Sequence, residues 1–293
     1  MNLFDKLVDE ALKNQPNLLS LRMVVEKELL HHDILRILSE HGLLKDLTFI
    51  GGTALRACYG GNRLSEDLDF TGGTYFTRCS LSAMGQILTK NIYNKYEFEV
   101  TVSEPQKDSG SVDTWKIRIT TRPEQRTLPA QRINIDICAL PSYERRPMML
   151  INSYGVDMGT NGLIIQVQSL EEIYTDKIIA FALRPNRIKY RDLWDILWLR
   201  QRGIGPKIEL IPHKLKDRKC DINDFLKSLT ERVKLLQDGG LEAEFIKEME
   251  RFLPPQQMHI VSQDGMWSLI GNFMSEISLL SLRTLGSTND FLK

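Results

Sequence analysis

Apolar residues between positions 17 and 44 recur at helical spacing, with Leu18, Leu21, Val25, Leu29, Ile34 and Ile37 on one face and the pattern ending near Gly42. The stretch therefore predicts a helix that packs on something. "LTFI" at 47–50 reads as a short strand feeding Gly51 and Gly52, "TALRACY" as the first turns of a helix, and "DLDF" at 67–70 as a second strand. Residues 80–94 are helical in pattern, and three strand-like runs follow at 96–102, 114–121 and 131–140. In the second run Trp115, Ile117 and Ile119 alternate with Lys116, Arg118 and Thr120, the period of two expected of a half-buried strand. After "LIIQVQSLEE" the pattern turns helical, with one helix over about 170–183 stopped by Pro185, one over about 188–201 stopped by Gly203, and more helices over 206–293.

Strands first and helices afterwards predict an α+β chain, with a mixed β-sheet core and N-terminal helices over 1–168 and a helical half over 169–293. The 293 residues, 42% hydrophobic and 26% charged, are enough to bury a substantial core. No run approaches the roughly 18 apolar residues of a membrane helix, and the start, "MNLFDKLVDEALKNQ", has early acidic residues and no signal-peptide core. A cytoplasmic protein with no membrane partner is expected. Cys58, Cys79, Cys138 and Cys220 form no Cys-x-x-Cys pair, and His31, His32, His41, His213 and His259 form no H-E-x-x-H pattern. The cysteines are expected to be small buried side chains, and the histidines surface or core fillers without a role.

Net charge is zero, 38 against 38, yet from Lys177 to Lys219 twelve Lys or Arg face four acids, a local excess of eight. A solvated helix face and a surface turned to a polyanion are competing explanations.

The chemistry concentrates in "FIGGTALRACYGGNRLSEDLDF" at 49–70. Residues two apart on a strand share a face, which puts Asp67 and Asp69 roughly 6.6 Å apart with Leu68 and Phe70 turned to the core. On the later strand Ile133, Ile135 and Ile137 take one face and leave Asn134, Asp136 and Cys138 on the other. If the two strands are neighbours, Asp136 joins Asp67 and Asp69 in an oxygen-ligand site suited to Mg²⁺, with Mn²⁺ as a substitute. Gly51, Gly52 and Thr53, between a strand end and a helix start, offer backbone N–H groups and a hydroxyl to the phosphates of an NTP. Taken singly, a Gly-Gly pair is an ordinary turn and a D-x-D an ordinary surface pair. The spacing between them, together with Asp136, favours a site.

A strand, a Gly-Gly turn opening a helix, D-x-D on the next strand and a third aspartate on a later one resembles the nucleotidyltransferase superfamily of DNA polymerase β. "GGTALRACYGGNRLSEDLDF" resembles more narrowly the AbiEii/AbiGii toxin family, which includes the MenT toxins. A second motif, "TDKIIAFALRPNRIKYRDLWDIL", matches the family's lysine followed by R-D-x-x-D through Lys177, Arg191, Asp192 and Asp195. The competing reading is a structural ion pair of Arg191 with Asp195 at i, i+4. The resemblance implies a nucleotidyltransferase core in which Asp67 and Asp69 bind metal, Lys177 contacts the triphosphate and Asp192 lies in the active site. Arg63 and Ser65 join Gly51, Gly52 and Thr53 as nucleotide-site residues. It further implies a toxin of a bacterial toxin–antitoxin or phage-defence pair that moves a nucleotide from an NTP to an acceptor hydroxyl, a tRNA 3′ end, with a cognate antitoxin as partner. In some toxins of this kind a kinase antitoxin phosphorylates a serine in the same motif, which makes Ser65 a candidate target; the competing reading is that Ser65 only hydrogen-bonds the turn before the strand. The alternatives are transfer to a protein or small molecule, or a non-catalytic nucleotide-binding regulator.

Overall fold

The computed structural model describes residues 2–105, 112–124, 129–237 and 239–286. The chain divides into two compact units, Met1–Gln168 and Ser169–Lys293.

The first unit is built on a seven-stranded mixed sheet in the order β3-β4-β5-β2-β1-β7-β6. Its strands are β1 (Thr48–Ile50), β2 (Leu68–Thr71), β3 (Glu99–Ser103), β4 (Val112–Thr120), β5 (Gln131–Cys138), β6 (Arg145–Met149) and β7 (Ile164–Gln168). Its helices are α1 (Leu3–Asn14), α2 (Arg22–Glu40), α3 (Gly51–Tyr59) and α4 (Met84–Tyr96). The two central pairings matter most for chemistry. β1 runs antiparallel to β2, with Phe49 opposite Phe70, and β2 runs parallel to β5, with Leu68 beside Ile135 and Asp69 beside Asp136. Alternation does what it predicts here. Ile133, Ile135 and Ile137 are buried while Asn134 and Asp136 keep partial exposure, and Trp115, Ile117 and Ile119 are buried while Lys116 and Arg118 face solvent.

The helix expected over 17–44 begins as a 3₁₀ segment, Pro16–Leu21, and becomes α-helical only from Arg22. Pro16 at the first position favours that tight start. α1 is an addition to the expected elements: Phe4, Val8, Ala11 and Leu12 form its buried stripe, and Asn2 caps it by accepting from Asp5 N–H at 2.8 Å. β7 is a second addition, and β6 is a third. It carries Pro147, which the sheet tolerates because β6 is an edge strand. The four cysteines form no disulfide, and only Cys58 is fully buried. Cys79 is exposed, a departure from the buried set expected.

The second unit is helical: α5 (Leu170–Leu183), α6 (Tyr190–Gln201), α7 (Ile211–Asp217), α8 (Ile222–Gln237), α9 (Glu242–Met249), α10 (Pro255–Val261) and α11 (Met266–Gly286). Ser169 caps α5 by accepting from Glu172 N–H at 3.1 Å. α5 ends at Leu183 because Arg184, ahead of Pro185, is pushed into extended backbone. Tyr190, Phe245 and Trp267 pack ring against ring where α6, α9 and α11 meet. Among the described residues no helix is long and apolar enough to cross a membrane.

Candidate active site

The stretch from Phe49 to Phe70 folds as strand, glycine turn, helix, irregular segment and strand. Gly51 opens α3 with φ of +75°, a conformation that a residue with a Cβ adopts only under strain. A Cβ at Gly51 would also stand 2.9 Å from Asp69 Oδ2, so the glycine backbone lies directly against that carboxylate. At Gly52 a Cβ would meet Arg63 Nη2 at 1.9 Å, so the guanidinium occupies the space a side chain would need. Arg63 Nη1 donates to Leu64 O at 3.0 Å.

Asp67, just ahead of β2, accepts from Asn134 N–H through Oδ1 at 3.1 Å. Asp69 pairs in register with Asp136, and Asp136 Oδ1 accepts from the Thr114 hydroxyl at 2.7 Å. Asp69 and Asp136 thus sit side by side on adjacent strands beside the glycine turn, with Asp67 just ahead of β2. All the donors are carboxylate oxygens, a set that suits a hard divalent cation. Among the described residues, however, no three His, Cys, Asp or Glu side chains converge as a metal-holding group, so the expected three-ligand site is not assembled as a cage. Magnesium in phosphoryl-transfer sites is commonly held by one or two carboxylates together with substrate phosphates. The residues fit that arrangement in donor type and strand placement.

Thr53 and Ser65, expected at the nucleotide, direct their hydroxyls to each other and to the backbone of the turn. Both are buried. The Thr53 hydroxyl donates to the Asp67 carbonyl and shares a 2.5 Å hydrogen bond with Ser65 Oγ. Their oxygens shape the turn from inside. With Ser65 only 5% exposed, a kinase would have to open this turn to reach its hydroxyl.

Lys177, Arg191, Asp192 and Asp195 belong to the second unit. Lys177 Nζ lies 2.6 Å from Asp192 Oδ1 and 2.8 Å from Asp195 Oδ2, and Arg184 Nη1 donates to Asp192 Oδ2. Burial alone would raise the Asp192 pKa, but Lys177 and Arg184 outweigh it and hold the carboxyl well below its usual range. Arg191 turns to α9, with Nε 3.5 Å from Glu248 Oε1 and its guanidinium 4.5 Å from the centre of the Phe252 ring. The basic excess of the sequence is partly internal. Lys214 is 1% exposed and bonded to Glu172 and Asp176, and Arg218 pairs with Asp176, while Arg187, Arg202, Lys216 and Lys219 are exposed.

Sequence reasoning assigned no role to His31 and did not weigh Glu28. Both are buried on α2 and bonded to the segment that leads into Asp67. Polar residues inside a helix with a good apolar stripe were the available signal.

With this geometry in hand, the family model of the nucleotidyl transferase AbiEii toxin, type IV toxin–antitoxin system, matches residues 33–267. The chain belongs to the AbiEii family. As an AbiEii protein it is a nucleotidyltransferase that uses an NTP as substrate, the toxin side of a type IV pair with a cognate antitoxin. No curated protein matches the chain. Eight chains of solved structures are similar to it. They include JHP933 from Helicobacter pylori, at 19% identity over 92% of this chain and 98% of that one with a TM-score of 0.49. A candidate nucleotidyltransferase from H. pylori is similar at 18% identity over 89% and 98% with a TM-score of 0.47.

Proposed function

We propose that this AbiEii toxin transfers a nucleotidyl group from an NTP to a hydroxyl at a tRNA 3′ end, in the cytoplasm and as part of phage defence. The observation that carries the site assignment is Asp69 in register with Asp136, with the Gly51 backbone against the Asp69 carboxylate. In the reaction the acceptor oxygen bonds to the α-phosphorus and gives up its proton to solvent, the α-phosphorus–oxygen bond to the β-phosphate breaks, and pyrophosphate leaves with the departing electron pair.

Asp67 and Asp69, with Asp136, would hold Mg²⁺ or Mn²⁺. A bound divalent cation supplies charge neutralisation to the triphosphate and acidifies the acceptor hydroxyl. Gly51 and Gly52 let the start of α3 approach phosphate oxygens, where free backbone N–H groups and the helix dipole favour anions. Thr53, Ser65 and Arg63 keep that turn in shape from behind. Lys177 is proposed as a contact to the triphosphate, which requires it to share its charge between phosphate and the Asp192 and Asp195 carboxylates. The exposed Arg187, Arg202, Lys216 and Lys219 support a polyanionic acceptor.

Incubating the protein with each α-labelled NTP and either total RNA or protein lysate tests the reading. Label in the tRNA fraction supports it. Label in protein, or in neither fraction, contradicts the tRNA assignment.

A further inference from the structure

α2 buries five polar side chains, Glu26, Glu28, His31, His32 and Asp33. Burying a carboxylate is costly unless it is paired, so each of the three acids has identifiable partners. Glu26 takes Arg22, Arg122 and Gln131, and Asp33 takes Lys95, Tyr96 and Arg36. Glu28 differs from both in what it joins. Its Oε1 accepts from Ser65 N–H at 2.8 Å, while its Oε2 accepts from Arg56 Nε at 3.0 Å and from the Tyr154 hydroxyl.

Arg56 is on α3, the helix that Gly51 opens, and its Nη1 also donates to Gly61 O at 3.0 Å. Ser65 is on the irregular segment that runs into Asp67, where backbone groups have no strand ladder to satisfy them. Neighbours on α2 hold the same segment. His31 Nε2 lies 3.0 Å from Glu66 O, and since a carbonyl only accepts, Nε2 carries the hydrogen. Lys27 Nζ pairs with Glu66 Oε1 at 2.9 Å. Burial, reinforced by Glu28, pushes the Tyr154 phenol well above its usual pKa, which keeps it a donor. Glu28, His31, Thr53, Arg56 and Tyr154 surround a cavity of about 20 Å³, room for a single water.

We propose that Glu28 is a positioning residue for nucleotidyl transfer: one carboxylate fixes the helix that carries the glycine turn against the segment that carries Asp67. The proposal rests on the reading of Asp67 and Asp69 as the metal-binding carboxylates. Misplacement of reacting groups by about 1 Å costs about 10²-fold in rate, so loosening this tie should appear in the chemical step.

The test measures label transfer and thermal melting on the full chain for Glu28→Gln, Tyr154→Phe, Asp33→Asn and Asp69→Asn. Glu28→Gln keeps an oxygen for Ser65 N–H but sets an amide against Arg56. Its kcat per folded molecule is expected to fall on the order of 10²-fold, with the KM for NTP changed less than about threefold. Tyr154→Phe is expected to lower kcat in the same direction by about tenfold. Asp33→Asn, also buried on the same helix, should lower the melting temperature and leave kcat per folded molecule unchanged. If Glu28→Gln behaves like Asp33→Asn, the positioning role is overturned. Should Glu28→Gln fail to fold, Tyr154→Phe decides, and an unchanged kcat there overturns the role. Full transfer by Asp69→Asn would instead overturn the carboxylate reading, and the Glu28 role with it.

Discussion

Lys177 Nζ stands 2.6 Å from Asp192 Oδ1, and Arg184 closes the other oxygen of the same buried carboxylate. The pair therefore stores stability that depends on Asp192 remaining ionised. With the folded pKa held below the ordinary 3.8, that stability is fully present above 3.8 and is lost as pH falls below it. Asp192→Asn removes one partner of a buried ion group while Asp195 still faces Lys177. A loss of about 3 kcal/mol near neutral pH is expected. Melting curves taken from neutral pH downwards check it, and the gap to wild type should narrow below about pH 4.

Gly52 and Arg63 allow a double-mutant cycle. A methyl at Gly52 must displace the Arg63 guanidinium, so Gly52→Ala alone should destabilise by about 1–3 kcal/mol. Arg63→Ala in the same chain vacates that space. The double variant should be more stable than the sum of the two single losses, with a coupling of about 1 kcal/mol or more. Chemical denaturation of the four proteins measures it, and strict additivity would show that the guanidinium is not what fills the site.

The fold is legible in the sequence where one physical period dominates. Ile133, Ile135 and Ile137 made β5 legible, and its isoleucine face dictated where Asp136 would point. The spacing of Phe4, Val8, Ala11 and Leu12 marks α1 only as a single short stripe, a pattern that a leader's apolar run can share. β6 was illegible for a different reason: "RRPMM" has no alternation to read, since an edge strand need not bury a face. In the site, the glycine turn and the D-x-D pair were visible because each is local. Glu28 was not, because its meaning lies in contacts to Ser65 and Arg56, 37 and 28 residues away. The buried place of Lys214 was hidden likewise: its partners Glu172 and Asp176 lie on α5, outside its own helix.

That last point separates two kinds of lysine in the basic region. Lys216 and Lys219 are exposed, and replacing both with alanine should weaken RNA binding evenly across sequences and reduce the salt slope by about 1 per residue. Filter-binding titrations of tRNA at several salt concentrations provide the check. Lys214→Met should act on stability instead, costing about 3–5 kcal/mol by leaving Glu172 and Asp176 without their shared cation.

The most direct measurement follows the α- and γ-phosphates of one NTP separately in the presence of tRNA, with wild-type protein and with Asp69→Asn. Nucleotidyl transfer predicts that the α-label enters tRNA, that the γ-label leaves as pyrophosphate, and that Asp69→Asn reduces α-label incorporation by about 10²-fold or more. Entry of the γ-label into the acceptor, or undiminished α-label incorporation by Asp69→Asn, would contradict the account.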